Sequence, residues 1–119
     1  MRESIRHALS VCPVEVTVSV VGGAWKLTIV ELLLDRTLRY GELRREVGDI
    51  TDRVLTRQLR ELEGDGLVRR TVFPEVPPRV EYALTPLGET LRPLINAMSH
   101  WGYSWAASQG VHVAESIPS

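Results

Sequence analysis

Residues 39–66 read "RYGELRREVGDITDRVLTRQLRELEGDG", and the placement of their leucines and arginines decides the fold. Tyr40, Leu43 and Val47 recur at helical spacing, and Gly48 stops that run. After "GDI", Thr51 offers an N-cap oxygen, Asp52 suits the positive end of a helix, and Gly64 and Gly66 close the segment. At about 100° per residue, Leu55, Leu59 and Leu62 share one side within about 60°. Arg53, Arg57 and Arg60 fall on the opposite side, with Thr56 flanking them. The stretch predicts two short amphipathic helices joined by a tight turn, the second with an arginine-bearing outer face.

The next eighteen positions give the pair its context. "LVRRTVF" (67–73) and "RVEYAL" (79–84) are rich in β-branched and aromatic residues and read as two strands. Pro74, Pro77 and Pro78 lie between them; they withhold backbone donors and stiffen the loop. Two helices followed by a hairpin is the order of a winged helix-turn-helix, a mainly α fold with a small β-hairpin (α+β). In that arrangement the second helix enters the major groove, and the hairpin lies on the DNA backbone or in the minor groove. Arg53, Thr56, Arg57 and Arg60 are then candidates for base edges or phosphates, and Thr51 joins them at the helix N-terminus. Arg44 on the preceding helix and Arg79 at the base of the proline loop extend the set. Arg69 and Arg70 stay unassigned, because adjacent strand residues point to opposite faces. A solvated charged face on any amphipathic helix would look similar. Glu61, Glu63 and Asp65 come close behind, but they gather at the C-terminal end and read as a solvated helix end away from the groove.

Upstream, "CPVEVTVSVVGG" (12–23) reads as a helix opened by Pro13 and closed by Gly22 and Gly23, although its β-branched content suits a strand equally. "AWKLTIVELLLD" (24–35) carries Trp25, Ile29, Leu32 and Leu33 at helical spacing, with a second apolar flank, and predicts a helix buried on most sides. Downstream, "TPLGETLRPLINAMSHWGYSWAAS" (85–108) predicts one helix with Thr85 as N-cap and Pro86 at its first position. Leu87, Leu91, Leu94, Met98, Trp101 and Trp105 are spaced 4, 3, 4, 3, 4, a heptad seam suited to a helical partner. Pro93 kinks that helix or loosens its first turns. The implied organisation is a loose arm or helical extension over 1–11, one domain over 12–110, and a flexible tail over 111–119.

Composition bounds the function classes. A chain of 119 residues, 44% hydrophobic and 24% charged, has room for one core, and none of its apolar runs approaches the roughly 18 residues of a membrane span. The N-terminus lacks the apolar core of a secretion signal. A single cysteine excludes an internal disulfide framework and fits a reducing cytoplasm. The net charge of −1 excludes bulk electrostatic binding of nucleic acid, but thirteen of the fourteen basic residues are arginine, with Lys26 the one lysine. Compositional bias toward arginine explains that figure as well as function does until position is considered. Phosphate-binding glycine loops, nucleophile elbows and triads are absent, so neither an enzyme nor a cofactor is expected. His7, His100 and His112 are scattered without metal-ligand spacing.

From "CPVE" through "GGAWKLTIVELL" and "RYGELRREVGDITDRVLTRQLRELEGDGLVRRTVFPEVPPRVEYALTPLG", the chain resembles the HxlR-type transcriptional regulators, relatives of the MarR regulators. The resemblance covers about residues 12–105 in unbroken order. It implies a dimeric winged-helix DNA-binding regulator, with DNA helix 51–64, wing 68–84 and a homodimer interface built from the terminal helices. The heptad seam suits such a dimer, which would present two recognition helices about one DNA turn apart on a pseudo-palindromic operator. The family's usual basic residue in "GGKW" is Ala24 here, with Lys26 two positions on, so no contact is carried over from that loop.

Cys12 directly precedes Pro13, at or beside a helix N-cap, where the helix dipole favours a reactive thiol. The resemblance implies that it senses oxidants or electrophiles; a small, buried, inert cysteine is the other reading. With no second cysteine, the outcomes of oxidation are an intersubunit Cys12–Cys12 bond, a mixed disulfide or an adduct. His100, Trp101, Tyr103 and Trp105 either line an aromatic pocket for a small-molecule effector or pack an interface. The expected partners are therefore double-stranded DNA, a second copy of the chain, and an oxidant or small-molecule effector, with no membrane. The alternatives to a thiol-controlled regulator are a winged-helix protein-interaction module and a regulator under small-molecule control.

Overall fold

The computed structural model describes residues 1–114. Its elements run α1 (Glu3–Ala8), α2 (Pro13–Val21), α3 (Lys26–Leu33), β1 (Leu38–Arg39), α4 (Tyr40–Val47), α5 (Asp52–Gly64), β2 (Val68–Phe73), β3 (Arg79–Leu84), α6 (Pro86–Glu89) and α7 (Arg92–Ser108). This is the winged helix-turn-helix expected from the sequence: α4 and α5 form the helix pair, and β2 and β3 form the wing. Among the described residues, no single helix is long and apolar enough to cross a membrane.

The core is built on α3 and α5. Ile29, Val30, Leu32 and Leu33 of α3 are buried, as expected, and meet Leu43 of α4 and Leu55, Leu59 and Leu62 of α5. Full burial of each such side chain contributes roughly 1.5–3 kcal/mol. Thr51 caps α5 by accepting a hydrogen bond from the Val54 amide at 3.2 Å. Gly64 is still helical, and the chain turns away only at Gly66, whose φ of 83° lies in the left-handed region that glycine tolerates best.

The sheet has three strands, not two, in the order β1-β3-β2, all antiparallel. β1 is only two residues long and pairs Leu38 with Tyr82 and Arg39 with Glu81, closing the outer edge of β3. In the wing, Val68 pairs with Leu84, Arg70 with Tyr82, and Phe73 with Arg79. The five residues between, 74–78, form the proline-rich tip.

Two expectations about the terminal segments change. The ambiguous segment after Cys12 is a helix, entered from an extended Cys12 with Pro13 in its first turn, so local context overrides β-branched propensity. The first residues form α1, whose Ile5 and Ala8 are buried, making a packed helical extension. Of the tail, residues 111–114 carry no helix or strand; 115–119 lie outside the described residues.

The expected single helix over 85–108 is two helices. Thr85 caps α6 as predicted, accepting from the Gly88 amide at 3.1 Å, and Pro86 occupies its first turn. α6 ends at Glu89, and α7 restarts at Arg92 with Pro93 in its first turn. Proline lacks an amide hydrogen and its ring crowds the carbonyl four residues back, that of Glu89, which disfavours a continuous helix here. Arg92 anchors the restart by donating to the Leu34 carbonyl at 2.7 Å and pairing with Asp35 at 3.1 Å and Glu89 at 3.0 Å.

α6 lies hard against the end of the helix-turn-helix, because a Cβ at Gly88 would sit 2.2 Å from the Leu67 carbonyl oxygen. Gly88→Ala should therefore destabilise the protein by about 1–3 kcal/mol, as overpacking does. The effect should appear as a lower urea midpoint with an unchanged slope. An unchanged midpoint would mean that the strand and helix part here at no cost.

Candidate nucleic-acid interface

α5 presents the predicted two-sided pattern. Leu55, Leu59 and Leu62 are buried, while Arg53, Arg57 and Arg60 stand exposed on the opposite side and Thr56 is half-buried between. Among the described residues, none makes a hydrogen bond or ion pair with these three guanidinium groups. Their donors stay available, in the fork geometry that suits phosphate and guanine. Arg53, Thr56, Arg57 and Arg60 line an open cleft of about 930 Å³ running along the helix toward α1.

The entry to α5 is held by a small polar cluster. Asp52 Oδ1 accepts from the Tyr40 hydroxyl at 2.9 Å and from Arg44 Nε at 3.0 Å, and Arg44 Nη1 also donates to the Gly48 carbonyl at 3.2 Å. The Tyr40 hydroxyl and the Arg44 guanidinium together hold the Asp52 carboxyl below the usual carboxylate range. Arg44 thus joins α4 to the first turn of α5, and Thr51 acts as the cap of that turn.

The C-terminal acids depart from the expectation of a solvated helix end. Lys26, only 3% exposed, places its Nζ 2.8 Å from Glu61 Oε1, and Arg2 Nη2 lies 2.6 Å from Asp65 Oδ2. Glu61 and Asp65 are therefore tied inward to α3 and α1; among the three acids, Glu63 remains exposed as expected. Hydrogen bonding to Lys26 is the main cause that holds the Glu61 carboxyl below its ordinary value, with Arg2 and Arg57 assisting. Lys26, two positions after Ala24, is thus turned into the fold against Glu61.

Strand alternation sorts the wing arginines. Arg70 faces the same side of the sheet as Val80 and Tyr82, toward α5, and lines a cleft of about 470 Å³ together with Thr56 and Arg60. The sequence alone leaves Arg70 unassigned; its pairing with Tyr82 supplies the missing information. Arg79 is on the other face. Its guanidinium carbon lies 3.9 Å from the Phe73 ring centroid, and it pairs with Glu75 at 3.3 Å and Glu81 at 3.5 Å. The DNA-contact candidate at the base of the tip is thus bracketed by two carboxylates and an aromatic ring.

The terminal helices expose apolar surface. On α7, Leu94, Met98, Trp101 and Trp105 share one stripe; Trp101 is 67% exposed and Trp105 52%. Ile95, Ser99, Gly102 and Ala106 occupy a separate face, where Ile95 and Ala106 are buried. The helix break removes Leu87 and Leu91 from this stripe: Leu87 lies on α6, and Leu91 packs against the core. His100, Trp101, Tyr103 and Trp105 stand exposed along α7. Val14 and Val18 form a second exposed apolar pair on α2, and Cys12 is exposed at that helix's N-cap.

With this geometry, the family model of HxlR-like helix-turn-helix proteins matches residues 20–110. The chain belongs to the HxlR-like helix-turn-helix family. An HTH-type transcriptional regulator of Methanothermobacter thermautotrophicus is 48% identical over 98 residues, covering 82% of this chain and 75% of the relative. The HTH-type transcriptional regulator YybR of Bacillus subtilis is 50% identical over 93 residues, covering 78% and 74%. Among solved structures, the redox regulator HypR in its oxidized form superposes with a TM-score of 0.74 at 50% identity, covering 78% of this chain and 96% of that one. Its reduced form gives 0.75 at 49%, covering 78% and 92%. This HxlR-like chain is a winged-helix transcriptional regulator of a family whose helix-turn-helix binds DNA, and the family is one of regulators, not enzymes.

The Lys26–Glu61 pair gives a stability test. Glu61→Ala would leave a buried ammonium without its carboxylate. The cost should be about 3 kcal/mol at neutral pH, the lower end for breaking a buried pair, because Glu61 keeps part of its surface in water. The folded carboxyl is depressed from its ordinary 4.5, so its contribution is complete above that pH and is lost as pH falls through the lower folded value. The gap between variant and native chains in urea denaturation should therefore close in acid; equal stability at pH 7 would contradict the pairing.

Proposed function

We propose that this HxlR-like regulator acts as a homodimer that reads a pseudo-palindromic operator, with Arg53, Thr56, Arg57 and Arg60 in the major groove. The observation that carries this reading is the unpaired arginine face of α5, directed outward by a buried leucine stripe. Thr51 and Arg44, at the entry to α5, reach the adjacent phosphates. Arg70, beside Thr56 and Arg60, extends the basic surface onto the wing. Arg79 serves DNA binding by stiffening the wing against Phe73 and keeps the neighbouring backbone or minor groove within its reach.

Dimerisation is supported by the stripe of half-buried Leu94 and exposed Met98, Trp101 and Trp105, an apolar surface of the kind that marks protein interfaces. Val14 and Val18 on α2 supply a second apolar pair for a two-fold contact. Leu87 and Leu91 support that interface from behind, through α6 and the core. The chain works in the cytoplasm, where its operator and a reduced Cys12 coexist.

The signal is thiol oxidation. Cys12 is exposed at the N-cap of α2, next to the proposed interface, and HypR, a redox regulator by name, is half identical to this chain. Two Cys12 thiols of a dimer would give up two protons and two electrons to an oxidant and form one disulfide, or a single thiol would form an adduct. A second reading, control by a small apolar effector, is favoured by a cleft of about 470 Å³ lined by Val16, Val20, Leu67, Leu87 and Leu91. Under the thiol reading, oxidant should change DNA affinity in the native chain and leave Cys12→Ser unresponsive. An equal response in the variant would rule out Cys12 as the sensor.

DNA recognition is tested by titrating salt against binding to a selected duplex and a random one. Affinity for both should fall steeply, with a slope of about −0.9 per phosphate neutralised. Arg57→Ala should weaken the selected duplex by about 1–3 kcal/mol and relax specificity, whereas Arg70→Ala should weaken both duplexes alike and reduce the salt slope by about 1. A flat salt response would favour a protein-interaction module instead.

A further inference from the structure

The recognition helix is gripped from one flank by two cations that belong to other helices. Arg2, at the N-cap of α1, donates from Nη2 to Asp65 Oδ2 at 2.6 Å and to the carbonyl oxygens of Ser19 at 3.1 Å and Val20 at 3.5 Å, at the end of α2. Its Nη1 lies 3.8 Å from Glu61 Oε2, while the buried Lys26 at the start of α3 holds Glu61 Oε1 at 2.8 Å. Glu61 and Asp65 are one turn apart, so both cations pull on the same side of α5. That side lies between the inward leucine stripe and the outward arginine face, and Arg57 borders the same cleft as Arg2 and Glu61.

We propose that Arg2 and Lys26 form a clamp, closed on Glu61 and Asp65, that sets the rotation at which α5 presents its arginine face, making the N-terminal helix a positioning element for DNA reading. The inference rests on the DNA-binding reading above and adds to it a role for residues that never touch DNA. The leucine stripe holds α5 against the core, but apolar packing alone resists a small roll about the helix axis only weakly. A guanidinium shared between Asp65 and two α2 carbonyl oxygens is directional and ties that roll to the position of α2. Arg2 is the joint: it touches α2 and α5 at once.

Charge and geometry predict opposite signs for one substitution. Asp65→Asn removes a negative charge from a DNA-binding surface, which by electrostatics alone should tighten binding to every duplex. The clamp predicts that it weakens binding to a selected duplex about tenfold, with random-duplex affinity unchanged or slightly raised. Arg2→Gln should produce the same loss of specificity. The double variant should be no worse than Arg2→Gln alone, since losing Arg2 already breaks the contact that Asp65→Asn removes. Asp65→Glu, which keeps the carboxylate, should restore most of the discrimination. Hydrogen exchange of the amides of 61–66 supplies a readout that needs no DNA and should quicken in both single variants. Tighter binding of both duplexes by Asp65→Asn, additive losses in the double variant, or unchanged exchange would each overturn the clamp while leaving the DNA reading intact. If the unaltered chain binds no duplex, the DNA reading fails and the positioning role falls with it, whatever the exchange rates show.

Discussion

Leu55, Leu59 and Leu62 are packed so completely into the core that they decide which face of α5 turns outward. Exposing that stripe would return three leucines to water, a cost of several kcal/mol against a total stability that is typically about 5–15 kcal/mol. Everything that matters functionally depends on this orientation. The opposite face has to carry Arg53, Arg57 and Arg60 outward, and the polar contacts of Thr51, Tyr40, Arg44 and Asp52 fix the end of the helix that would enter a groove first.

A chain with a net charge of −1 is an unpromising partner for DNA until its pairing pattern is considered. Asp52, Glu61 and Asp65 along α5 each face a basic side chain from another part of the fold, and Glu75 and Glu81 both face Arg79 within the wing. Among the described residues, the outward arginines of α5 have no such ion-pair partner. Local positive potential therefore arises from where acids are neutralised, not from an excess of base. Arg79 and Arg70 illustrate the rule on the two faces of one hairpin: the first is held by carboxylates and an aromatic ring, and the second is turned toward α5.

The helix pair, the wing, the caps at Thr51 and Thr85 and the inner stripe of α5 were legible in the sequence, because each depends on residues within a few positions of one another. Features set by long-range contact were not. β1 consists of Leu38 and Arg39 alone, too short to show alternation, and exists because β3 offers it an edge. The spacing of Leu87 to Trp105 suggested one seam because spacing cannot register a break, although Pro93 held the physical reason for one. Glu61 and Asp65 looked solvated because their partners, Lys26 and Arg2, lie 35 and 63 positions away in the chain. Which wing arginine faces α5 required the strand register, which composition does not encode.

The central claim is that α5 is a DNA-reading helix presented twice by a two-fold dimer. Selection of bound sequences from a random duplex pool tests this most directly. The expected result is an inverted repeat whose half-site centres lie about 10–10.5 base pairs apart, or a multiple of that spacing, since two recognition helices must enter successive major grooves on one side of the duplex. A pool with no enriched sequence, or with a single asymmetric site, would contradict it.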